Sequence, residues 1–261
     1  MIRIENLYKS FDGKTVLNDI SAEFLKGQTN LIIGRSGSGK TVLLKSIVGL
    51  FEIDGGNIYY DNRNFTVMKP QERKLLRQEM GMVFQGGALF DSLTVEENVR
   101  FPLDMFTSQS PAEKQKRVDY CLDRVNIAKE AHKLSPSEIS GGMKKRVAIA
   151  RAIALNPPYL FCDEPNSGLD PETSKVIDEL IKGITADLHM TTIVNTHDMN
   201  SVMEIGDQII FIYEGTVEWE GTKTDILYTE NQKLQDFVFA NRQYRAIRDE
   251  RKNTDSISGH E

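Results

Sequence analysis

The chemistry of this chain is concentrated in a few short runs whose residue types suit phosphate and metal. Gly34-Arg35-Ser36-Gly37-Ser38-Gly39-Lys40-Thr41 has the spacing of a phosphate-binding loop, with a strand-like run before it and a helical run after it. The glycines let the backbone curl so that several N–H groups face phosphate oxygens, and the helix that starts there adds about half a positive charge at its N-terminus. Lys40 is placed to bridge β- and γ-phosphates and the Thr41 hydroxyl to ligate Mg²⁺. Leu160 to Cys162 is an apolar run that ends in two acids, Asp163 and Glu164. Buried, unpaired carboxylates are costly, so a cation or a catalytic task must compensate them. Ser140-Gly141-Gly142 opens a helical stretch as an N-cap with exposed N–H groups, which suits an anion.

Gln85 follows the apolar run Met80 to Phe84, and His197 follows the strand-like run Thr191 to Thr196. The elements that must hold these residues read as α/β. Strands are expected at 2–7, 16–24, 29–33, 57–60 and 80–84, with a helix over 39–50. Helical periodicity then dominates 91–103, 111–126 and 140–155. From Tyr159 strands and helices alternate again: strands 159–162, 191–195, 208–213 and 216–220, helices 171–188 and 198–205. Such alternation implies a mainly parallel sheet with helices on its faces. The stretch 240–261 is charged, with arginines at 242, 245, 248 and 251. It reads as a solvated tail or as a basic helix against an acidic partner or a lipid surface.

Composition narrows the class. The chain has 261 residues, 39% hydrophobic and 27% charged, ordinary values for a globular protein with a substantial core. A net charge of -6 argues against a dedicated nucleic-acid binder. The two cysteines, Cys121 and Cys162, offer no disulfide framework, and Cys162 reads as a buried thiol. There is no signal pattern and no apolar run of about 20 residues, so a cytoplasmic protein is expected, with any membrane work done through a partner.

Taken in order, the five motifs resemble the ATP-binding cassette (ABC) ATPases from about Ile2 to Phe239. The resemblance implies a P-loop NTPase fold with a mainly parallel core sheet, an N-terminal antiparallel β part and a helical subdomain at about 86–157, in a nucleotide-binding domain over 1–239. It implies ATP and Mg²⁺ as ligands. Asp163 would hold Mg²⁺, mostly through water, Glu164 would polarise the attacking water, and His197 would contact the γ-phosphate. Gln85 would reach both the Mg²⁺ shell and the helical subdomain. Ser140, Gly141 and Gly142 would complete the ATP pocket of an opposite subunit, so two copies would pair head to tail, as a homodimer in the simplest case. Ser167-Gly168-Leu169-Asp170 resembles the loop that communicates across that dimer. Two departures stand out: Met143 replaces the usual glutamine after the glycines, and Asn166 the usual threonine before Ser167. Phe11, in Lys9-Ser10-Phe11, matches the aromatic that stacks on adenine, with Tyr8 as the alternative.

The gap between the phosphate loop and Ser140 is too short for the coiled coil of chromosome ATPases, and a single cassette does not match translation-type relatives. A transport motor is therefore expected, peripheral on the cytoplasmic face of an inner membrane through an integral permease, with a soluble non-transport ATPase as the other class. The segment Gly86 to Leu103 resembles the Mla-type ATPases, which move phospholipids or related lipids with a permease and an MCE-domain lipid-binding protein, and Met143 also fits that group. The alternative is an importer ATPase for a small polar solute such as an amino acid.

Overall fold

A computed structural model describes residues 1–239, and the basic stretch from Arg242 lies outside the described residues. The chain begins with a hairpin, β1 (Ile2–Phe11) and β2 (Lys14–Phe24), closed by Asp12 and Gly13, both at positive φ as a tight two-residue turn requires. β1 also pairs antiparallel with β4 (Gly55–Tyr60), which pairs with the short β5 (Arg63–Asn64), giving the order β2-β1-β4-β5. β1 runs past the expected Leu7. A bulge at Asn6 breaks the polar–apolar alternation, and its side chain is held by Asp19 of β2 at 2.8 Å.

The second sheet has the order β10-β9-β3-β8-β7-β6, from β3 (Thr29–Ile33), β6 (Met80–Val83), β7 (Tyr159–Asp163), β8 (Thr191–Thr196), β9 (Gln208–Tyr213) and β10 (Thr216–Gly221). All neighbours are parallel except the edge pair β9–β10. Every residue of β3, β7 and β8 is buried, as expected of a sheet covered on both faces. The two-residue side-chain period divides these strands between two cores. Leu31, Leu160, Val194 and Phe211 face the one shared with the helical half. Ile32, Phe161, Ile193 and Ile210 face the one shared with the antiparallel sheet and α1 (Lys40–Ile47).

α1 is shorter than its apolar pattern suggested because Gly49, at φ 74, turns the chain where a Cβ would lie 2.5 Å from the Phe65 ring. The region after β6 is helical: α3 (Val95–Phe106), α4 (Pro111–Arg124) and α5 (Gly141–Ala152). α3 starts at Val95 rather than Asp91 because Thr94 and Glu97 form a reciprocal cap there. α2 (Pro70–Gln78) was not expected, since it buries only Leu76 and shows no apolar stripe. α6 (Pro171–Leu188) and α7 (Met199–Ile205) follow β7 and β8, and α8 (Lys223–Tyr228) and α9 (Gln232–Val238) close the described chain.

Candidate nucleotide site at the strand ends

Four of the expected motifs leave the second sheet at the carboxyl end of its strands. The glycine loop follows β3, His197 follows β8, Asp163 and Glu164 end β7, and Gln85 follows β6. These are four consecutive strands in one parallel order, and their carboxyl ends are where open α/β sheets bind ligands.

Gly34, Gly37 and Gly39 have φ values of 151, 81 and 107°. A Cβ on Gly34 would lie 2.4 Å from the Ile212 carbonyl, so this turn admits no side chain. β2 passes against the loop: a Cβ on Gly39 would lie 3.2 Å from the Val16 carbonyl. Lys40 is buried and its Nζ donates to the Arg35 carbonyl at 3.0 Å. Burial lowers its pKa, while the Glu164 and Asp163 carboxylates act in the opposite sense.

Beside the loop, Thr41 Oγ1 donates to Asp163 Oδ1 at 3.2 Å. Asn195, the next-to-last residue of β8 and paired with Asp163 across the sheet, donates from Nδ2 to that same carboxylate oxygen at 2.6 Å and to Thr41 Oγ1 at 3.2 Å. Asn195 was not anticipated. Its one signal is a polar side chain set in the fully buried run Thr191 to Thr196. The cluster offers a hydroxyl and a carboxylate, hard oxygen donors that suit Mg²⁺ sharing its shell with phosphate and water. The described residues hold no group of three or more His, Cys, Asp or Glu that would form a metal cage of their own. The Ser38 hydroxyl and Asn195 Oδ1 are buried without protein partners, further polar capacity at the same place.

Glu164 stands next to this cluster in a left-handed conformation, φ 46°, and its N–H donates to the Asn195 carbonyl at 2.9 Å. Its two carboxylate oxygens are held separately, Oε1 at 3.1 Å from His197 Nδ1 and Oε2 at 3.1 Å from Gln85 Nε2. The same Gln85 nitrogen reaches Ser167 Oγ at 3.1 Å, and its carbonyl accepts from Lys145 of α5. Gln85 therefore connects the acid to the helical half. Its side-chain hydrogen bonds go to Glu164 and Ser167.

Ser140, Gly141, Gly142 and Asp170 meet elsewhere, around a cavity of about 580 Å³ between the N-termini of α5 and α6. Ser140 Oγ accepts from the Met143 N–H at 3.2 Å, and Asp170 accepts from the Thr173 N–H at 2.9 Å. The hydrogen bonds from Thr173 hold the Asp170 carboxyl below its usual range. Met143 packs against the core as a partly buried apolar residue.

Phe11 ends β1 on the hairpin whose other strand touches the loop. It is 38% exposed and edge-on to Phe51, with centroids 5.3 Å apart. Tyr8 lies against β4, where a Cβ on Gly55 would be 3.5 Å from its ring. On the helical half, Leu89 turns inward onto the core, but Phe90 and Phe101 stay 42% and 36% exposed with ring centroids 4.7 Å apart. They line a mostly apolar groove of about 420 Å³ with Met80, Met82, Phe84 and Phe106.

The ABC transporter family profile matches residues 17–167. The chain is 36% identical over 254 residues to the methionine import ATP-binding protein MetN of Campylobacter jejuni, spanning 91% of this chain and 75% of that protein. MetN of Carboxydothermus hydrogenoformans is 41% identical over 87% of this chain and 67% of its own length. A probable ribonucleotide transport ATP-binding protein, mkl of Mycobacterium leprae, is 32% identical over 91% and 68%. Among solved structures, a dimeric ATP-binding cassette in a post-hydrolysis state bound to ADP and Pi superposes with a TM-score of 0.78 at 33% identity, covering 85% of this chain and 98% of that one. The cbiO1 subunit of a Clostridium perfringens transporter complex gives 0.81 at 28% identity, covering 94% and 98%.

Proposed function

This chain belongs to the ABC transporter family of ATP-binding cassettes, ATPases that drive transport, and from that premise we propose which residues bind the nucleotide, which turn it over and what the motor moves. Residues 34–41 bind the phosphates of ATP, Lys40 exchanging its bond to the Arg35 carbonyl for β- and γ-phosphate oxygens. Thr41, Asp163 and Gln85 would hold Mg²⁺, which when bound would supply positive charge against the phosphates. Glu164 takes the proton of the attacking water. His197 bonds one oxygen of that carboxylate through Nδ1 and is assigned the γ-phosphate. Phe11 is the adenine platform. Ser140, Gly141, Gly142 and Asp170 contact the nucleotide of a second copy, which agrees with their separation from the glycine loop in one chain.

The observation that carries this reading is the double grip on Glu164. A carboxylate held by one partner per oxygen, beside the Thr41–Asp163–Asn195 cluster, is preorganised to take a proton from water. ATP hydrolysis by the purified chain tests it, and a Glu164→Gln variant that hydrolysed ATP at the wild-type rate would refute it.

No helix among the described residues is long and apolar enough to cross a membrane. The motor acts through a permease at the cytoplasmic face, as its family membership supports. Its docking surface is the Phe90–Phe101 groove, which adjoins Gln85 and so lies one residue from the group that senses Glu164. The names of the relatives support a small polar solute such as methionine as cargo. A second reading, lipid transport with an MCE-domain partner, rests on the Gly86–Leu103 segment and on Met143. Cargo is recognised outside the cassette, and identity between motors speaks to the motor. Purifying the tagged chain from its own membranes decides: an amino-acid permease in the complex supports the first reading, a permease with an MCE protein the second.

A further inference from the structure

Behind the candidate site lies a buried acid that the proposed chemistry does not use. Asp178 of α6 is 3% exposed, and among the described residues it forms no ion pair. Its Oδ1 accepts from Asn166 Nδ2 at 2.8 Å, and the same nitrogen reaches Ser201 Oγ at 3.1 Å. The Ser201 hydroxyl in turn bonds the carboxylate. Three elements thus meet at one side chain. Asn166 belongs to the loop that begins at Glu164 and ends at Asp170, the cap of α6. Ser201 lies on α7, four residues after His197. The groups facing Asp178 from α7 are Asp198 and Glu204, both acidic, and from β7 the Cys162 thiol, which is neutral.

A carboxylate that faces two further acids and forms no ion pair, with Lys182 one turn along α6 given to the Glu204 carbonyl, is an expensive way to fasten two helices together. A neutral amide or an apolar side chain would fasten them at lower cost. Burial raises the Asp178 carboxyl to about 6, in spite of the hydrogen bonds from Ser201 and Asn166, so the group is largely ionised at neutral pH. The cost falls at a place with a mechanical purpose. Glu164 and His197 bond each other at 3.1 Å in front, and their two chain segments are tied together behind by the same carboxylate.

We propose that Asp178 is a positioning residue for ATP hydrolysis, acting through Asn166 and Ser201 to lock the Glu164–Asp170 loop to the helix that follows His197. This rests on the assignment of Glu164 and His197 to turnover. It accounts for Asn166, because an asparagine amide donates to the carboxylate and the hydroxyl from one nitrogen. It also accounts for the buried Asn166 Oδ1 left without a partner, since turning the amide over would point oxygen at the carboxylate.

The test compares Asp178→Leu with Asp178→Asn in ATPase assays, with ATP affinity measured separately by a fluorescent ATP analogue. Asp178→Leu is expected to lower kcat about tenfold or more while ATP affinity stays within about twofold and the melting temperature does not fall. Asp178→Asn, which imitates the protonated acid, should hold across the pH range at the reduced kcat that the wild type reaches only as pH drops through about 6. Adding Asn166→Ala to Asp178→Leu should lower kcat no further, since both cut the same tie. A kcat for Asp178→Leu within about twofold of wild type overturns the proposal. If that variant fails to fold, the Asp178→Asn profile decides, and a step near pH 6 identical to the wild type overturns it. Loss of activity in Glu164→Gln with normal Asp178→Leu removes this proposal alone, whereas normal activity in Glu164→Gln removes the reading beneath it.

Discussion

The strand-end cluster and the Phe90 groove differ in how complete they are. At the strand ends the charged groups are held within the chain: Lys40 on a carbonyl, Asp163 on Thr41 and Asn195, Glu164 on His197 and Gln85. In the groove two phenylalanine rings lie against each other and against solvent. The backbone beneath them is fixed, since Asn98 bonds both the N–H and the carbonyl of Phe90 at 2.8 and 3.1 Å. A rigid frame that holds apolar rings outward has a surface to offer a partner. A cluster that satisfies its own charges has a geometry to preserve until a ligand replaces the internal bonds. Substitutions in the strand-end cluster should therefore change nucleotide chemistry, and those in the groove should change assembly.

The sharpest way to break that contrast is Glu164→Gln, which keeps shape and removes the base. Turnover should fall by about 10²–10⁴ while ATP still binds. Retained ATP should also prolong any sandwich dimer, visible by size-exclusion chromatography with ATP. Lys40→Ala comes next. Removing a charged donor should weaken ATP by about 1.5–3 kcal/mol in a binding titration, with little change in melting temperature of the free protein. An effect on permease capture without one on ATP would reverse the assignment of the two regions. Phe90→Ala should weaken co-purification of the permease by about 2 kcal/mol and leave ATP affinity unchanged. A globally destabilised variant would make the groove part of the core instead. The smallest effect belongs to Phe11→Ala, about 1 kcal/mol in ATP affinity by analogy with base–aromatic stacking. An unchanged affinity would move the platform to Tyr8.

A pH experiment sharpens the same contrast from the stability side. Burial raises the Asp178 carboxyl to about 6 in the folded chain, against an ordinary value of 3.8. Its folded state holds the proton more tightly, so its contribution to stability is full below the unfolded pKa and is lost as pH rises through about 6. Asp178→Asn should therefore melt higher than wild type at neutral pH and show no such gain in acid, as followed by circular dichroism.

The glycine loop, the paired acids and the α/β alternation were legible because each is a local pattern with one physical meaning. α6 was read with its observed ends because Asp170 caps it and Pro171 opens it. What escaped notice lacks such a pattern. α2 buries only Leu76, so nothing periodic marks it. Asn195 acts through its neighbours in the sheet, Asp163 on β7 and Thr41 beyond β3, and pairing across strands leaves no local trace. The fate of Leu89, Phe90 and Phe101 was open in the sequence for a related reason. Apolar residues in a row do not tell which face inward, and Leu89 alone turned to the core.

Asn195 also has a consequence for how this site could be remodelled. Its carbonyl fixes the backbone of Glu164 while its amide fixes Asp163 and Thr41, so one residue serves as the gauge between the acid proposed to act on water and the oxygens that suit a metal. The two settings cannot be tuned independently by substitution at this position. In a saturation library scored for turnover, position 195 should tolerate almost nothing. Asn195→Asp would fail differently from Asn195→Ala, by bringing a second carboxylate against Asp163 and leaving the site dependent on higher divalent cation to neutralise it.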